Sequence, residues 1–380
     1  MQILDRYMLR QFLQTFAICF CSMTGLYIVF DAFANLDEFM KYGESTGHLL
    51  ALISEYYFYR SISFFDRMSA VLALISAMFT LAWLQRHNEL TAIVAAGIPG
   101  RRVIAPIIGA TIVISLTAVV SREAVIPSIR KQLSREPRDL LGQAAQEMQP
   151  QFDGRTNVLL TGKQTFADRQ RIHRADFKLP PGLDEYGTDL VATDAFYQPP
   201  QGDLPGGYRM VDVLHPADLA DKPSLSLDGV PTLLTALDAP DGLKLGPKEC
   251  FVASDLSFEQ LTAGKKWRQY ASTAQLIAGL RNPALGYGDD VRVAIHSRLV
   301  MPLLDVTLLF LGLPLVLRPD QRSFFLAVGQ CVTLVSVFMV VAIGAQYLGT
   351  IPPFSPALAS WLPLAIFVPT AVWISDHLWR

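Results

Sequence analysis

Gly43-Glu44-Ser45-Thr46-Gly47 spells G-x-S-x-G. That pattern serves a serine nucleophile when it sits on a sharp strand-to-helix turn, with Asp and His following. Here it stands in a short loop between two apolar runs, and His48 beside it does not make a triad. A phosphate-binding loop needs G-x-x-x-x-G-K-[ST], so that backbone N–H groups and a lysine hold the phosphates. Gly162-Lys163 and Gly264-Lys265 lack the leading glycine and the following Ser or Thr. The six histidines show no H-E-x-x-H or paired spacing. Of the four cysteines, Cys19, Cys21 and Cys331 lie in apolar runs and Cys250 stands alone. Neither a C-x-x-C metal site nor an intradomain disulfide is available. The sequence therefore assigns no catalytic residue, no metal site and no cofactor.

Charges in unusual places are more informative. Between Leu84 and Arg102 the chain reads LQRHNELTAIVAAGIPGRR, flanked by apolar runs. Asn88 suits an N-cap, because its side-chain oxygen can accept from free backbone N–H groups. Glu89 then falls in the first turn, where the helix dipole favours negative charge. Leu90, Ile93 and Val94 make one apolar face by i, i+3, i+4 spacing. Gly97 fits a left-handed C′ position and Pro99 blocks continuation. The spacing predicts a helix of about eight residues within 88–97, too short to stand alone in water. It must pack on lipid headgroups, on its own bundle or on a partner. Arg86 and Arg101-Arg102 flank it. Asp305 is an ionisable group inside an apolar run, which costs roughly 2.5–3.5 kcal/mol at a bilayer centre, so it must face protein or a wet cavity. It is seven residues from Arg298 and could pair with it, or couple transport to protons. Arg60 and Arg67, also seven apart, share a helix face. With Lys41 in the preceding loop they could meet lipid phosphates as charge-assisted donors, or simply reach the headgroup layer.

The elements that position these groups are apolar runs. The 380 residues are 51% apolar and 17% charged, the net charge is −2, and mean hydropathy is +0.31. No basic field points to nucleic acid. Charge-free or nearly charge-free runs cover 12–30, 68–85, 103–121 and 299–317, and residues 323–375 form a double run broken at GTIPPFSP. A crossing helix needs about 20 apolar residues, which gives six spans. Arg6 and Arg10 before the first run and Ala32-Phe33-Ala34 after it mimic a cleaved signal. Its apolar part, however, exceeds the usual 7–15 residues, so it reads as a span. Lys and Arg gather at one set of ends: Arg6, Arg10, Arg86, Arg101, Arg102, Arg318, Arg322 and Arg380. By that bias both termini and the 84–102 loop are cytoplasmic, and the long segment from about Arg122 to His296 is outside. His296 and Arg298 would mark the outer start of the fourth span. Within the outer segment, TNVLLTGKQTFA, DLVATDAFY, YRMVDVLH and KECFVASDL alternate with period two between Pro/Gly clusters, which reads as antiparallel β. The expected fold is a membrane α-helical bundle with an inserted antiparallel β domain: 1–121, 122–297 and 298–380.

LDRYMLRQF (Leu4 to Phe12) and LQRHNELTAIVAAGIPGRRV (Leu84 to Val103) resemble the family of lipopolysaccharide export permeases of the LptF/LptG type. HSRLVMPL, LGLPLVLR, GTIPP and WLPL in the second half agree. So does the order of parts, which in that family is three spans, a jellyroll and three spans. The resemblance implies an inner-membrane permease subunit paired with a second, homologous one, above a cytoplasmic LptB-like ATPase dimer. An acidic glycolipid enters sideways and passes to a periplasmic LptC/LptA-like bridge. The family's coupling-helix glutamate falls on Glu89, so the 84–102 loop would be the contact with the motor. Two positions depart from the family pattern. Ile28-Val29-Phe30-Asp31 stands where LptG-like members carry a lysine, and Asp66-Arg67 stands where a proline precedes the second run. The rival reading is an ion-coupled secondary transporter or channel using Asp305. A membrane-anchored enzyme lacks a catalytic set.

Overall fold

The computed structural model describes residues 3–43, 49–135, 137, 145–180, 186–202, 204–227, 229–240, 242–317 and 324–379; the side chains of 41–43, 263–265, 316–317, 324–327 and 376–379 are outside that description. The GESTG loop beyond Gly43, Arg318, Arg322, Arg380 and the Lys41 side chain thus lie outside the described residues. The chain divides into two compact units, 1–129 with 289–380, and 130–288.

The first unit is helical. α1 (Ile3–Ala34), the short α2 (Leu36–Gly43), α3 (Leu49–Arg86), α4 (Glu89–Ala95) and α5 (Gly100–Val120) come first. A π turn (Ser121–Val125) and α6 (Ile126–Ser128) extend α5. α7 (Arg130–Ser134) opens the second unit. α10 (Asp289–Leu317), α11 (Phe324–Leu348) and α12 (Pro356–Trp379) complete the first. Six of these helices are long and apolar enough to cross a membrane. Two run past the boundaries expected at 121 and 298. Arg122 and Glu123 end the charge-free run but not the helix, which continues to Ser128, and α10 begins at Asp289 rather than near Leu299. His296 and Arg298 are therefore inside α10, two turns from its start, and do not mark its boundary.

α3 and α10 form the centre. Leu74, Leu81, Ile107, Ile114, Val300 and Leu308 share one buried cluster. Gly312 makes the close approach possible, because a Cβ there would stand 2.2 Å from Leu74 Cδ1. Small residues at helix crossings let backbones approach where no hydrophobic force separates protein from lipid. Buried hydroxyls are satisfied within their own helix: Ser76 donates to Leu72 O at 2.6 Å and Thr80 to Ser76 O at 2.7 Å. α1 buries little of its length. It joins α3 along one edge, through Phe16–Phe65, Phe20–Phe65 and Tyr27–Phe64 ring contacts.

Among the described residues, the second unit is a ten-stranded antiparallel sheet that does not close into a barrel. Its strands are β1 (Gln146–Glu147), β2 (Gln151–Asp153), β3 (Val158–Leu160), β4 (Gly162–Phe166), β5 (Arg171–Lys178), β6 (Asp189–Gln198), β7 (Gly207–His215), β8 (Leu225–Leu227), β9 (Val230–Thr235) and β10 (Glu249–Ala253). The main path runs β1-β4-β5-β6-β7-β10-β9-β8, with β2 and β3 beside β5. The four alternating stretches fall on β3–β4, β6, β7 and β10. One face carries the core, including Ile172, Phe177, Tyr208, Met210 and Val252. Tyr208 is fully buried, so its hydroxyl needs a partner, and it donates to Leu256 O at 3.0 Å. Two helices, α8 (Phe258–Tyr270) and α9 (Thr273–Arg281), follow the strands. Both begin with a capping box, Ser257 with Gln260 and Ser272 with Gln275. These S-x-x-Q pairs were the available sequence signal for them.

Candidate functional site

α4 is a seven-residue helix between two long ones. It does not begin as the sequence suggested. Asn88 adopts a left-handed conformation, φ 57°, and its side chain makes no capping bond; only its carbonyl enters the helix, accepting from Ala92 N–H at 3.0 Å. The physical reason is the corner. α3 ends at Arg86, and two residues must reverse the chain, which a left-handed Asn accommodates better than most. The other end follows the expected chemistry. Gly97, φ +81°, donates to Val94 O at 2.9 Å and Ile98 to Ile93 O at 3.3 Å, the paired closure of a Schellman motif. Leu90 and Ile93 pack against the bundle core, whereas Val94 is exposed. Thr91, Ala92, Ala95 and Ala96 are exposed too, as are Arg86 and Arg101.

Glu89 has a partner that spacing could not reveal. The Tyr7 hydroxyl, 82 residues away, donates to Glu89 Oε2 at 2.8 Å. Tyr7 lies in the Leu4–Phe12 stretch, so two segments singled out separately in the sequence meet here. The bond orients a carboxylate at the helix start. The outward face of α4 is left to Thr91, Ala92, Val94 and Ala95.

The candidate lipid cations separate. Arg60 is half-buried among rings, 4.5 Å from the Tyr56 ring centroid and 3.5 Å from the Tyr27 hydroxyl, to which its Nη1 donates. A guanidinium over an aromatic face is attracted by the ring quadrupole. Nearby, Tyr57 donates to Asp31 at 3.0 Å. Arg67 is exposed and forms no ion pair among the described residues. The two therefore sit in different surroundings, Arg60 engaged by rings and Arg67 open.

Asp305 does not find Arg298. Ser115 of α5 donates to its Oδ2 at 2.8 Å. A second polar pair joins α3 to the π turn that extends α5, beside α10. Arg122, on the π turn, meets Asp66 of α3 through Nε at 3.0 and 3.2 Å and Nη2 at 2.9 Å, with side chains only 13% and 11% exposed. Its Nη1 points to Met301 Sδ of α10 at 3.1 Å. The π turn inserts one extra residue into the helical repeat, and such bulges concentrate at functional positions. The pairings of Asp66, Arg122, Ser115 and Tyr7 escaped the sequence reading, because each partner lies 56 or more residues away. Outside the membrane unit, Cys250 is fully buried, and burial pushes its thiol up to about 12; such a thiol is inert. Among the described residues no His, Cys, Asp and Glu cluster could hold a metal.

A comparison with curated proteins finds no match. The family model for the lipopolysaccharide export system permease LptF/LptG matches residues 6–173 and 218–377.

Proposed function

The chain belongs to the LptF/LptG family of lipopolysaccharide export permeases, and on that premise we propose that it is one of two paired membrane subunits of an ATP-driven exporter. As a member of that family, with six apolar helices, it is a multi-pass inner-membrane permease. Both termini and α4 face the cytoplasm, and the β unit faces the periplasm. A separate LptB-like ATPase dimer docks on α4. Closure of the paired subunits then lifts an acidic glycolipid from the membrane toward a periplasmic bridge protein.

One observation supports the docking site above the others. α4 is anchored on one side by Leu90 and Ile93, and Tyr7 orients Glu89 at its start, while its remaining surface is exposed. A short helix gains its stability from packing, so an anchored helix with a bare outer face suits force transfer to a partner. Purifying the protein from its host membrane in mild detergent and identifying a stoichiometric P-loop ATPase tests the reading; a chain that exports glycolipid with no such partner would defeat it.

Lipid capture is assigned to Arg60 and Arg67, with Lys41 in the preceding segment. Replacing Arg60 and Arg67 together with Gln is expected to lower glycolipid photocrosslinking several-fold, with Arg60 carrying the larger share because it is the half-buried one. Crosslinking equal to wild type would reduce both to headgroup anchors.

The ion-coupled rival rests on Asp305. Its bond from Ser115 favours a role in joining α5 to α10 instead. Asp305→Asn keeps an acceptor for Ser115, so export is expected to persist. A folded Asp305→Asn protein that no longer transports, while proton-driven transport is measurable in wild type, would favour the rival.

A further inference from the structure

The sheet face opposite the β-unit core carries an ordered row. Successive strand residues point to opposite faces, and directly paired residues on neighbouring strands lie side by side. Across six strands these pairs connect Phe166, Arg171, Phe196, Arg209, Phe251 and Leu234 in one line. Their sequence neighbours Thr165, Ile172, Ala195, Tyr208 and Val252 point to the other face. Aromatic ring and guanidinium alternate along the first five positions. Strands about 4.8 Å apart place Phe166 and Phe196 roughly 9–10 Å from each other.

The far end of this row is sealed. Phe251 and Leu234 are buried under Leu243, with Leu204 and Leu245 beside them. Arg209 holds that cover, donating to Lys244 O at 3.0 Å and pairing with Glu249. The near end is half-open. Arg171 stands 4.4 Å from the Phe166 ring centroid and 3.6 Å from Asp194 Oδ2. The second distance is an ion pair but too long for a hydrogen bond. Among the described residues, the Arg171 guanidinium thus makes no hydrogen bond. His173 lies in the next row, its Nδ1 3.0 Å from Asp194 Oδ1.

Ligand chemistry follows from this set. A fatty chain laid here would strip water from Arg171 and Asp194 without pairing them, which is costly. Nucleic acid would bring phosphates against Asp194 and Glu249. A sugar chain fits both parts: its hydroxyls donate to carboxylates and accept from guanidinium N–H groups. Its C–H faces carry the slight positive charge that the negative face of an aromatic ring attracts. The spacing of Phe166 and Phe196 calls for an oligosaccharide and not one ring.

We propose that the Phe166–Arg171–Phe196 end of this row is a docking strip for the saccharide portion of the transported glycolipid. The assignment rests on the export reading above for its substrate, but not on the family match for its residues, because the match passes over 174–217 and thus over Phe196 and Arg209.

The full-length protein in detergent is titrated with the deacylated, water-soluble oligosaccharide of lipopolysaccharide and followed by calorimetry. Wild type is expected to bind. Phe196→Ala and Arg171→Gln are each expected to weaken binding at least tenfold, with unchanged melting for Arg171→Gln, whose side chain is partly exposed. No binding by wild type, or equal binding by wild type and Arg171→Gln, overturns the strip. Photocrosslinking of the intact glycolipid near Arg60 separates the two readings. Crosslinking without oligosaccharide binding removes the strip and leaves the exporter; oligosaccharide binding without crosslinking keeps the strip and removes the exporter.

Discussion

Glu89→Lys is expected to release the ATPase from the detergent-purified bundle and to stop glycolipid export. Three effects act in the same direction. A lysine in the first turn of α4 opposes the helix dipole that Glu89 complements, worth about 0.3–1 kcal/mol at a surface position. The Tyr7 hydroxyl loses its acceptor. In the proposed docking, reversing the charge at Glu89 would set a like charge against any basic group with which the ATPase met the carboxylate. Close charge pairs across protein interfaces couple by about 1.5–7 kcal/mol, and each 1.4 kcal/mol is tenfold in affinity. Docking should thus weaken at least tenfold, and more at low salt, where exposed charges are least screened. The bundle itself should melt as wild type does, because Leu90 and Ile93 still anchor the helix. Tyr7→Phe removes only the orienting bond and is expected to give a smaller loss of the same kind. Undiminished ATPase association and export in Glu89→Lys would strip α4 of its assigned role.

Arg122→Met is expected to produce the largest loss of stability. It leaves Asp66 buried between helices with its principal cation gone. Removing one partner of a buried ion pair costs about 3–5 kcal/mol, whereas replacing both by apolar residues of similar volume is often neutral or stabilising. The double variant Asp66→Leu/Arg122→Met should therefore recover most of the loss. Thermal unfolding of the three proteins in one detergent measures this. Equal melting of wild type and Arg122→Met would mean that water reaches the pair and that it does not join the helices.

The six spans were legible because long charge-free runs have few other readings. Their ends were not. Arg122, Glu123 and Arg298 looked like boundaries, yet helices continue through them; Arg122 is tolerated there because Asp66 neutralises it. In the β unit, alternation revealed the strands that bury one face, such as β6 and β7. It missed β9, whose residues Leu233 and Leu234 are buried on opposite faces and so break the alternation. α8 and α9 were signalled by Ser257 with Gln260 and by Ser272 with Gln275, and were passed over. At the candidate docking helix, Glu89, Leu90, Ile93 and Gly97 were readable from spacing alone. Asn88 was misjudged because its residue type suits two jobs, side-chain cap and left-handed corner, and the geometry of α3 decides between them. The Tyr7–Glu89 and Asp66–Arg122 bonds join distant parts of the chain, which no local pattern encodes.

The length of α3 has a mechanical consequence. At 1.5 Å per residue its 38 residues span about 57 Å, against a hydrocarbon slab of roughly 30 Å. Set across a bilayer, such an oar would overhang the slab, with α4 following its Arg86 end. A tilt of about 5° about Arg86 sweeps the far tip at Leu49 through roughly 5 Å, so a modest stroke at one surface is magnified at the other.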